Sequence, residues 1–360
     1  MKLFMSRFSR LIAFFSLVFS LGFIVAALPS TASAQTSYPP NYRPQQHPNF
    51  QRPAPQRATP VSRHGHLSVV GPHIRGQHGR VTSLAGPSFF WSNTGWAQDR
   101  FYTAGAVQTF ARDWNAGIVR VAMGAQNDGS FLQDPQANAR RMETVVDAAI
   151  ANGLYVIVDW HSHQAEQNTA EAVRFFTALA KKYGHTPNLI YEIYNEPLDT
   201  TDWARTVKPY AETVIRAIRR VDPDNLIIVG TQSWSQNVHT AADNPIRGHR
   251  NILYALHFYA ASHKGELRQK AQYAINKGLP LIISEWGSVT YSGDGHMDVA
   301  ETRAWMNFAR RNGLSHLNWA VSDKNESSSM LRRGANSHGG WTARDLTPSG
   351  RMARDIMRSW

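Results

Sequence analysis

Residues 139–161 read ARRMETVVDAAIANGLYVIVDWH, and the change of period inside this stretch decides the fold. Over 139–153 the apolar residues recur at the spacing of one buried helical face, and Asn152-Gly153 supplies a C-cap signal. The next eight residues, LYVIVDWH, form a short β-branched and aliphatic run of strand length. The same alternation recurs outward in both directions. VTSLAGPS (81–88) and IVRVAMG (118–124) precede it; LIYEIYNE (189–196), LIIVGTQ (226–232), ILYALHFY (252–259), LIISEWG (281–287) and HLNWAVSD (316–323) follow. Between them lie further amphipathic stretches, among them ARTVKPYAETVIRAIRRVD (204–222) and VAETRAWMNFARRNG (299–313). Strands of nearly continuous apolar character alternating with helices point to a parallel α/β sheet covered by helices. Eight such units over roughly 290 residues predict a (β/α)8 TIM barrel forming a single catalytic domain over 66–360. An open doubly wound sheet is the alternative. It would carry a Gly-rich strand-to-helix turn, and neither G-x-G-x-x-G nor G-x-x-x-x-G-K occurs.

The chain before the barrel reads differently. MKLFMSRFSR carries Lys2, Arg7 and Arg10, the apolar run LIAFFSLVFSLGFIVAALPS follows, and Ala32-Ser33-Ala34 makes a small-x-small site. Residues 1–34 are therefore expected to be a cleaved export signal, with an uncleaved membrane anchor as the alternative. Residues 35–65 are rich in Pro, Gln and Arg and poor in aliphatics, the composition of an extended, disordered spacer. The formal charge of +12 sits mostly in this leader and tail. Nine Lys or Arg precede the first acidic residue, Asp99, and removing those nine leaves +3 for residues 99–360. That distribution speaks against a nucleic-acid partner, which calls for a concentrated basic face. The absence of cysteine excludes a disulfide scaffold, thiol catalysis and Cys-ligated metals.

In a barrel of this kind the site forms at the C-terminal ends of the strands. The polar residues expected there are Arg120, Asp159, His161, His163, Asn195, Glu196, His257, Tyr259, Glu285, Asp323, Lys324 and Glu326. Trp91, Trp96, Trp234 and Trp319 lie near the same ends. Asp159 reads equally as a structural partner for a cation and as a site residue, His316 as a packed or capping residue, and Arg219-Arg220 as solvated surface. Two carboxylates, Glu196 and Glu285, facing each other in a Trp-lined cleft suit hydrolysis of a glycosidic bond: one protonates the leaving oxygen, the other attacks or activates water.

The runs YEIYNEP, LIISEWG, VDWH, ALHFYA and NWAVSDKNESSSML resemble glycoside hydrolase family 5, particularly its bacterial endoglucanases, from about Leu67 to the C-terminus. The resemblance implies a retaining endo-β-1,4-glucanase (cellulase) with Glu196 as general acid/base and Glu285 as nucleophile. It implies that Asn195 holds the 2-hydroxyl of the attacked sugar, that Arg120 and Tyr259 bond Glu285, and that His257 tunes Glu196. His161 and Trp319 would contact the central sugar, Lys324 and Glu326 a distal glucose. Trp91, Trp96 and Trp234 complete the substrate-binding set. No cofactor or metal is implied; the partner is a β-glucan polysaccharide, and a secreted or periplasmic monomer is expected. With Arg120 beside it, Glu285 should have a lowered pKa, and Glu196, facing a carboxylate, a raised one. Retention further predicts carboxyl groups about 5–5.5 Å apart. Many family members carry a His after the first strand, where this chain has Phe90 in GPSFFWSN, so the hold on the non-reducing side differs.

Mannan, mixed-linkage glucan and xyloglucan are alternative substrates. A metal-dependent barrel hydrolase using His161, His163, His257 and Asp323 is a rival enzyme, although the fifth strand's end, VGTQSWS, supplies no His or Lys ligand. A non-catalytic carbohydrate-binding barrel is a rival of another class, disfavoured because both carboxylates are present. Glu192, four residues before Glu196, should lie about 13 Å back along the strand as a buried structural acid needing a cationic or hydrogen-bonding partner.

Overall fold

A computed structural model describes residues 58–360; the expected export signal and residues 35–57 of the expected spacer lie outside them. The short strands β1 (Ser68–Val70) and β2 (His73–Arg75) pair as an antiparallel hairpin. Eight parallel strands then close a barrel: β3 (Ala85–Phe89), β4 (Ile118–Gly124), β5 (Tyr155–His161), β6 (Leu189–Glu192), β7 (Ile227–Val229), β8 (Ile252–Tyr259), β9 (Leu281–Gly287) and β10 (His316–Val321). Pairing runs in chain order, and β10 returns to β3 to complete the ring. Helices including Pro135–Ala151, Thr169–Tyr183, Lys208–Arg219, Gly265–Asn276 and Val299–Asn312 connect the strands. Their starts are capped where the sequence allows it. Asp134 accepts from the amide of Ala137 and Asp298 from that of Glu301, satisfying donors a helix leaves open. No helix among the described residues is long and apolar enough to cross a membrane.

The apolar side chains sort into three layers. Ile118, Ile157, Ile190, Ile228, Leu253, Ile282 and Leu317 fill the lower barrel, joined by Leu67 and by Ile74 of the hairpin, which plugs the N-terminal end. Their strand neighbours Val119, Val156, Tyr191, Ile227, Tyr254 and Ile283 face the helices. A smaller cluster of Phe90, Ala122, Tyr259, Trp319 and Ala320 lines the mouth. This is the period-2 alternation of a strand buried on both faces.

Two strands break that alternation where it matters. Against β8, Ile282 pairs with Ala255 but Glu285 with His257; against β10, Ile283 pairs with His316 but Trp286 with Asn318. Both neighbours therefore see one extra residue in β9, a β-bulge at Ser284–Glu285. Continued alternation from the inward Ile282 would have sent Glu285 toward the helices; the bulge turns it inward beside Ser284. A second bulge in β10, against β3, puts both Trp319 and Ala320 on the mouth.

Three sequence readings are corrected. Residues 58–65, read as the end of the spacer, belong to the folded body. Pro60–His64 is a helix capped by Thr59, Val61 N–H bonds Gly153 O at 3.0 Å, and the Tyr155 hydroxyl donates to Gly65 O at 2.5 Å. Arg219 is not solvated surface: its guanidinium spans the carbonyls of Asp222, Asn225 and Arg250 at 2.8–3.1 Å. The fourth strand stops at Glu192 rather than running to Glu196, because Ile193 and Tyr194 both turn outward into the helix layer.

Candidate active site

Arg120 organises the site. It projects inward from the middle of β4, fully buried, and its guanidinium uses every N–H it has. Nε donates to Glu192 Oε2 at 2.6 Å, and Nη1 to Glu285 Oε2 at 3.0 Å and to Ser88 Oγ at 3.2 Å. Nη2 donates to Asn195 Oδ1 at 2.6 Å and pairs with Asp159 Oδ2 at 2.9 Å. Burial alone would lower the Arg120 pKa, but the three surrounding carboxylates raise it, so the cation is permanent. Bonding Asn195 through oxygen also fixes that side chain's orientation, turning its NH2 toward His161 Nε2 at 3.4 Å.

The expected electrostatics of Glu285 are overturned here. Arg120 does not serve Glu285 alone; its charge is divided among Glu285, Glu192 and Asp159. Burial and the facing Glu196 therefore outweigh the pull of His257, Arg120 and the Tyr259 hydroxyl, and Glu285 stands above the ordinary carboxylate range. Its two oxygens are held separately, Oε2 by Arg120 and Oε1 by Tyr259 Oη at 2.7 Å. Burial also pushes the Tyr259 hydroxyl well up, which keeps it a neutral donor. Its ring rests against Gly287, where an added Cβ would come within 2.5 Å of it, so no other residue fits at that position.

His257, inward on β8, joins the two glutamates of the fourth strand segment. Nδ1 lies 2.9 Å from Glu196 Oε1; Nε2 lies 2.9 Å from Ser284 Oγ and 3.8 Å from Glu192 Oε1. Burial would lower its pKa, but the nearby Glu192 carboxylate, the bond to Glu196 and the charge of Glu285 raise it to about 9. Below that value it is an imidazolium donating on both sides. His161 is the opposite case. Burial and the positive charge of Arg120 hold it well below the usual imidazole range, so it is neutral. Its Nδ1 faces Asp159 Oδ2 at 2.6 Å, which makes Nδ1 the protonated nitrogen and leaves Nε2 as an acceptor. Asp159 is thus a support for Arg120 and His161 rather than a group open to substrate.

A cleft of about 740 Å³ opens above this layer. Of the residues expected at the site, it exposes Trp91, Trp96, His161, His163, Glu196, Trp234, Tyr259, Glu285, Trp319, Lys324 and Glu326. Arg120, Asn195 and His257 lie directly beneath, bonded to them. His161 and Trp319 stack with ring planes 10° apart and centroids at 5.2 Å; Trp91 meets the His161 edge at 4.1 Å and Trp96 at 5.0 Å. Phe90, at the position where a His is common, packs on Trp319 at 5.2 Å and beneath the Lys324 ammonium. It makes this part of the floor apolar. Lys324 and Glu326 are ion-paired to each other. Trp234, 39% exposed, stands on the far side in a strained turn: Ser233, Trp234 and Ser235 all have φ between 54° and 59°. Bonds from Trp234 N–H to Pro197 O and from Ser235 Oγ to Asn195 O hold that strain in place beside Glu196.

The residues of the metal reading are not gathered. Asp323 pairs with Arg100 and accepts from Gly334 N–H, and His161 Nδ1 is committed to Asp159. Among the described residues, the one group with ligand atoms all within 4.8 Å of one another is Glu196, His257 and Glu285. It contains an imidazolium and sits over a buried guanidinium, so a cation would displace charge already placed there. Sequence reasoning missed Ser88 and Ser284, which bond Arg120 and His257 from below, and Asn127, Gln236, His263 and Tyr291 on the cleft wall. The serines sit inward one or two residues from the predicted strand ends, and only the strand register could have pointed to them.

The chain is similar to known proteins in sequence and fold. The family model described as cellulase (glycosyl hydrolase family 5) matches residues 76–325. Endoglucanase Z of Dickeya dadantii is 52% identical over 294 residues, covering 82% of this chain and 66% of that protein. The endoglucanase of Clostridium saccharobutylicum is 39% identical, over 79% of this chain and 63% of that protein. The chain thus spans just under two thirds of the length of these relatives. Among solved structures, the catalytic domain of a Thermobifida fusca endoglucanase superposes with a TM-score of 0.79 at 34% identity, covering 83% of this chain and 99% of that one. A structure from Cytophaga hutchinsonii gives 0.81 at 46% identity, covering 84% and 97%. With the barrel, the paired glutamates and the family model in agreement, the chain belongs to glycosyl hydrolase family 5.

Proposed function

We propose that this protein is a retaining endo-β-1,4-glucanase in which Glu285 is the nucleophile and Glu196 the general acid/base. The observation that carries the reading is the spacing of the pair: an oxygen of Glu196 and one of Glu285 lie within 4.8 Å. That is the short separation of retaining enzymes, and it leaves no room for the water an inverting enzyme places between carboxyls roughly 6.5–9.5 Å apart.

In the first step a Glu285 oxygen bonds the anomeric carbon as the glycosidic C–O bond breaks. Glu196 gives its proton to the departing oxygen, and a glycosyl ester remains on Glu285. In the second, water attacks the same carbon, Glu196 takes its proton, and the ester bond breaks to free Glu285. Asn195, oriented by Arg120, offers its NH2 to the 2-hydroxyl, and His161 Nε2 accepts a hydroxyl of the same sugar. Trp319 is that sugar's platform, Lys324 and Glu326 grip the next ring, Trp91 and Trp96 extend the same side, and Trp234 takes the leaving side. Residues 1–34 act as an export signal and 35–57 as a spacer, which places the enzyme in the periplasm or outside the cell. Every residue given a role here comes from one chain, and the enzyme is read as a monomer.

The test is a panel of purified β-1,4-glucan, mixed-linkage glucan, xyloglucan and mannan, with product length and the anomer of the first product followed by NMR. β-1,4-Glucan should be cut internally with retention. Glu285→Gln should abolish turnover, Glu196→Gln should lower it by roughly 10²–10⁴-fold, and Arg303→Ala, an exposed helix residue, should leave it unchanged. A first product of inverted configuration would refute the assignment.

A further inference from the structure

Tyr291 stands on the turn after β9 and takes no part in the chemistry above. At 75% it is the most exposed large hydrophobic side chain among the described residues, yet it borders the cleft. No hydrogen bond or ring contact holds its ring among the described residues, whereas its backbone is held from two sides. Its N–H bonds Ser262 Oγ at 3.0 Å, from the loop after β8. Within the turn, Gly293 N–H bonds Thr290 O at 3.0 Å, with Gly293 at φ 80°. Beyond it, Ser328 N–H bonds Gly293 O at 3.0 Å and Ser327 Oγ bonds Asp294 Oδ1 at 2.7 Å, tying the turn to the segment that carries Lys324 and Glu326. An added Cβ on Gly293 would lie 3.9 Å from the Glu326 carboxyl carbon. Around the ring β10 lies between β9 and β3, so Tyr291 and the Trp91–Trp96 pair flank Lys324 and Glu326 from opposite sides.

We infer that Tyr291 is a specificity-determining residue: an aromatic platform for a glucosyl ring beyond the one gripped by Lys324 and Glu326, so that the enzyme selects for longer β-1,4-glucan chains. This rests on the β-glucanase reading. A tyrosine has only two side-chain torsions to lose, and a turn fixed from both sides has little backbone freedom left, so stacking costs little entropy. The exposed ring has apolar faces for the sugar's C–H bonds. Because the contact is remote from the reacting carbon, it acts in ground state and transition state alike and appears in KM rather than kcat.

The experiment measures kcat and KM of the full chain on cello-oligosaccharides of increasing length, for the natural enzyme, Tyr291→Ala and Tyr291→Phe. Tyr291→Ala should raise KM about three- to tenfold on the longer oligosaccharides, the worth of one aromatic contact. Its KM on the shortest cleaved oligosaccharide and its kcat throughout should stay unchanged, and Tyr291→Phe should behave as the natural enzyme. Tyr291→Ala with an unchanged KM series, an equal rise at every length, or a Phe variant as impaired as Ala would each overturn the platform. If the natural enzyme cleaves no cello-oligosaccharide, the β-glucanase reading falls and this inference with it, an outcome distinct from a defect confined to the variant.

Discussion

Glu192→Gln separates the structural acid from the catalytic ones. The substitution keeps the volume and can keep one oxygen on Arg120 Nε, now 2.6 Å from Glu192 Oε2. A charge-assisted bond becomes a neutral one, a loss of about 1 kcal/mol, and the new NH2 replaces an oxygen that has no hydrogen-bond partner, leaving a buried donor unsatisfied for about 1–3 kcal/mol more. The expected loss of stability is therefore about 2–4 kcal/mol, well inside a typical total of roughly 5–15 kcal/mol, so the variant folds. For a barrel of this size that is a fall in Tm of roughly 3–6 °C. The pH dependence has a definite sign. Burial would raise the Glu192 pKa, but Arg120 and His257 lower it below 4.5, so its stabilisation is present above that value and is lost as pH falls through the folded one. The Tm gap should be full at neutral pH and close in acid. Activity should suffer less, because Arg120 keeps its bonds to Glu285 and Asn195 through Nη1 and Nη2; kcat/KM should fall by less than about tenfold, roughly 1.4 kcal/mol. Scanning calorimetry from acid to neutral pH and kinetics on soluble β-glucan test both halves. An inactive Glu192→Gln with an unchanged Tm would instead make Glu192 a catalytic acid.

The remaining predictions concern Glu285 and Arg219. Because burial and Glu196 raise Glu285 above its ordinary 4.5, the acid limb of kcat/KM should lie above pH 4.5; a limb at or below that value would show the pull of Arg120 winning after all. The same shift means that the folded chain holds the Glu285 proton more tightly, so that group's stabilisation is complete below pH 4.5 and lost as pH rises through the folded value. Glu285→Gln should therefore gain in Tm relative to the natural enzyme as pH rises, while remaining inactive. Arg219→Ala strands three carbonyls and should cost about 1–3 kcal/mol by denaturant titration without altering kcat/KM, whereas Arg303→Ala should do neither.

Strands whose ends are buried by neighbours on both sides were legible to the residue: Ile118–Gly124, Ile252–Tyr259 and Leu281–Gly287 all match their apolar runs. The fourth and fifth barrel strands were read too long. β6 and β7 stop early because their last residues leave extended geometry, outward for Ile193 and Tyr194 and into the strained Ser233–Trp234 turn. The glutamate pair and its tryptophans were visible because their residue types are unusual at strand ends. The sharing of Arg120 was not: whether one cation faces one carboxylate or three depends on where β4, β5, β6 and β9 converge, which period and composition do not encode. Tyr291 left no signal at all, since one exposed tyrosine in a turn is unremarkable until the loops on either side are placed.

The bulge in β9 makes the position of the nucleophile a matter of counting. His257 and Glu285 meet as neighbours only because β9 spends three residues where β8 spends two. Regularising β9 at constant length, so that its side chains alternate strictly from Ile282 onward, would restore a regular ladder and leave composition, hydrophobicity and barrel closure almost untouched. It would also rotate the carboxylate out of the cleft. A more regular barrel can therefore be a dead one, and design on this scaffold that idealises its strands would erase the reaction while improving the sheet.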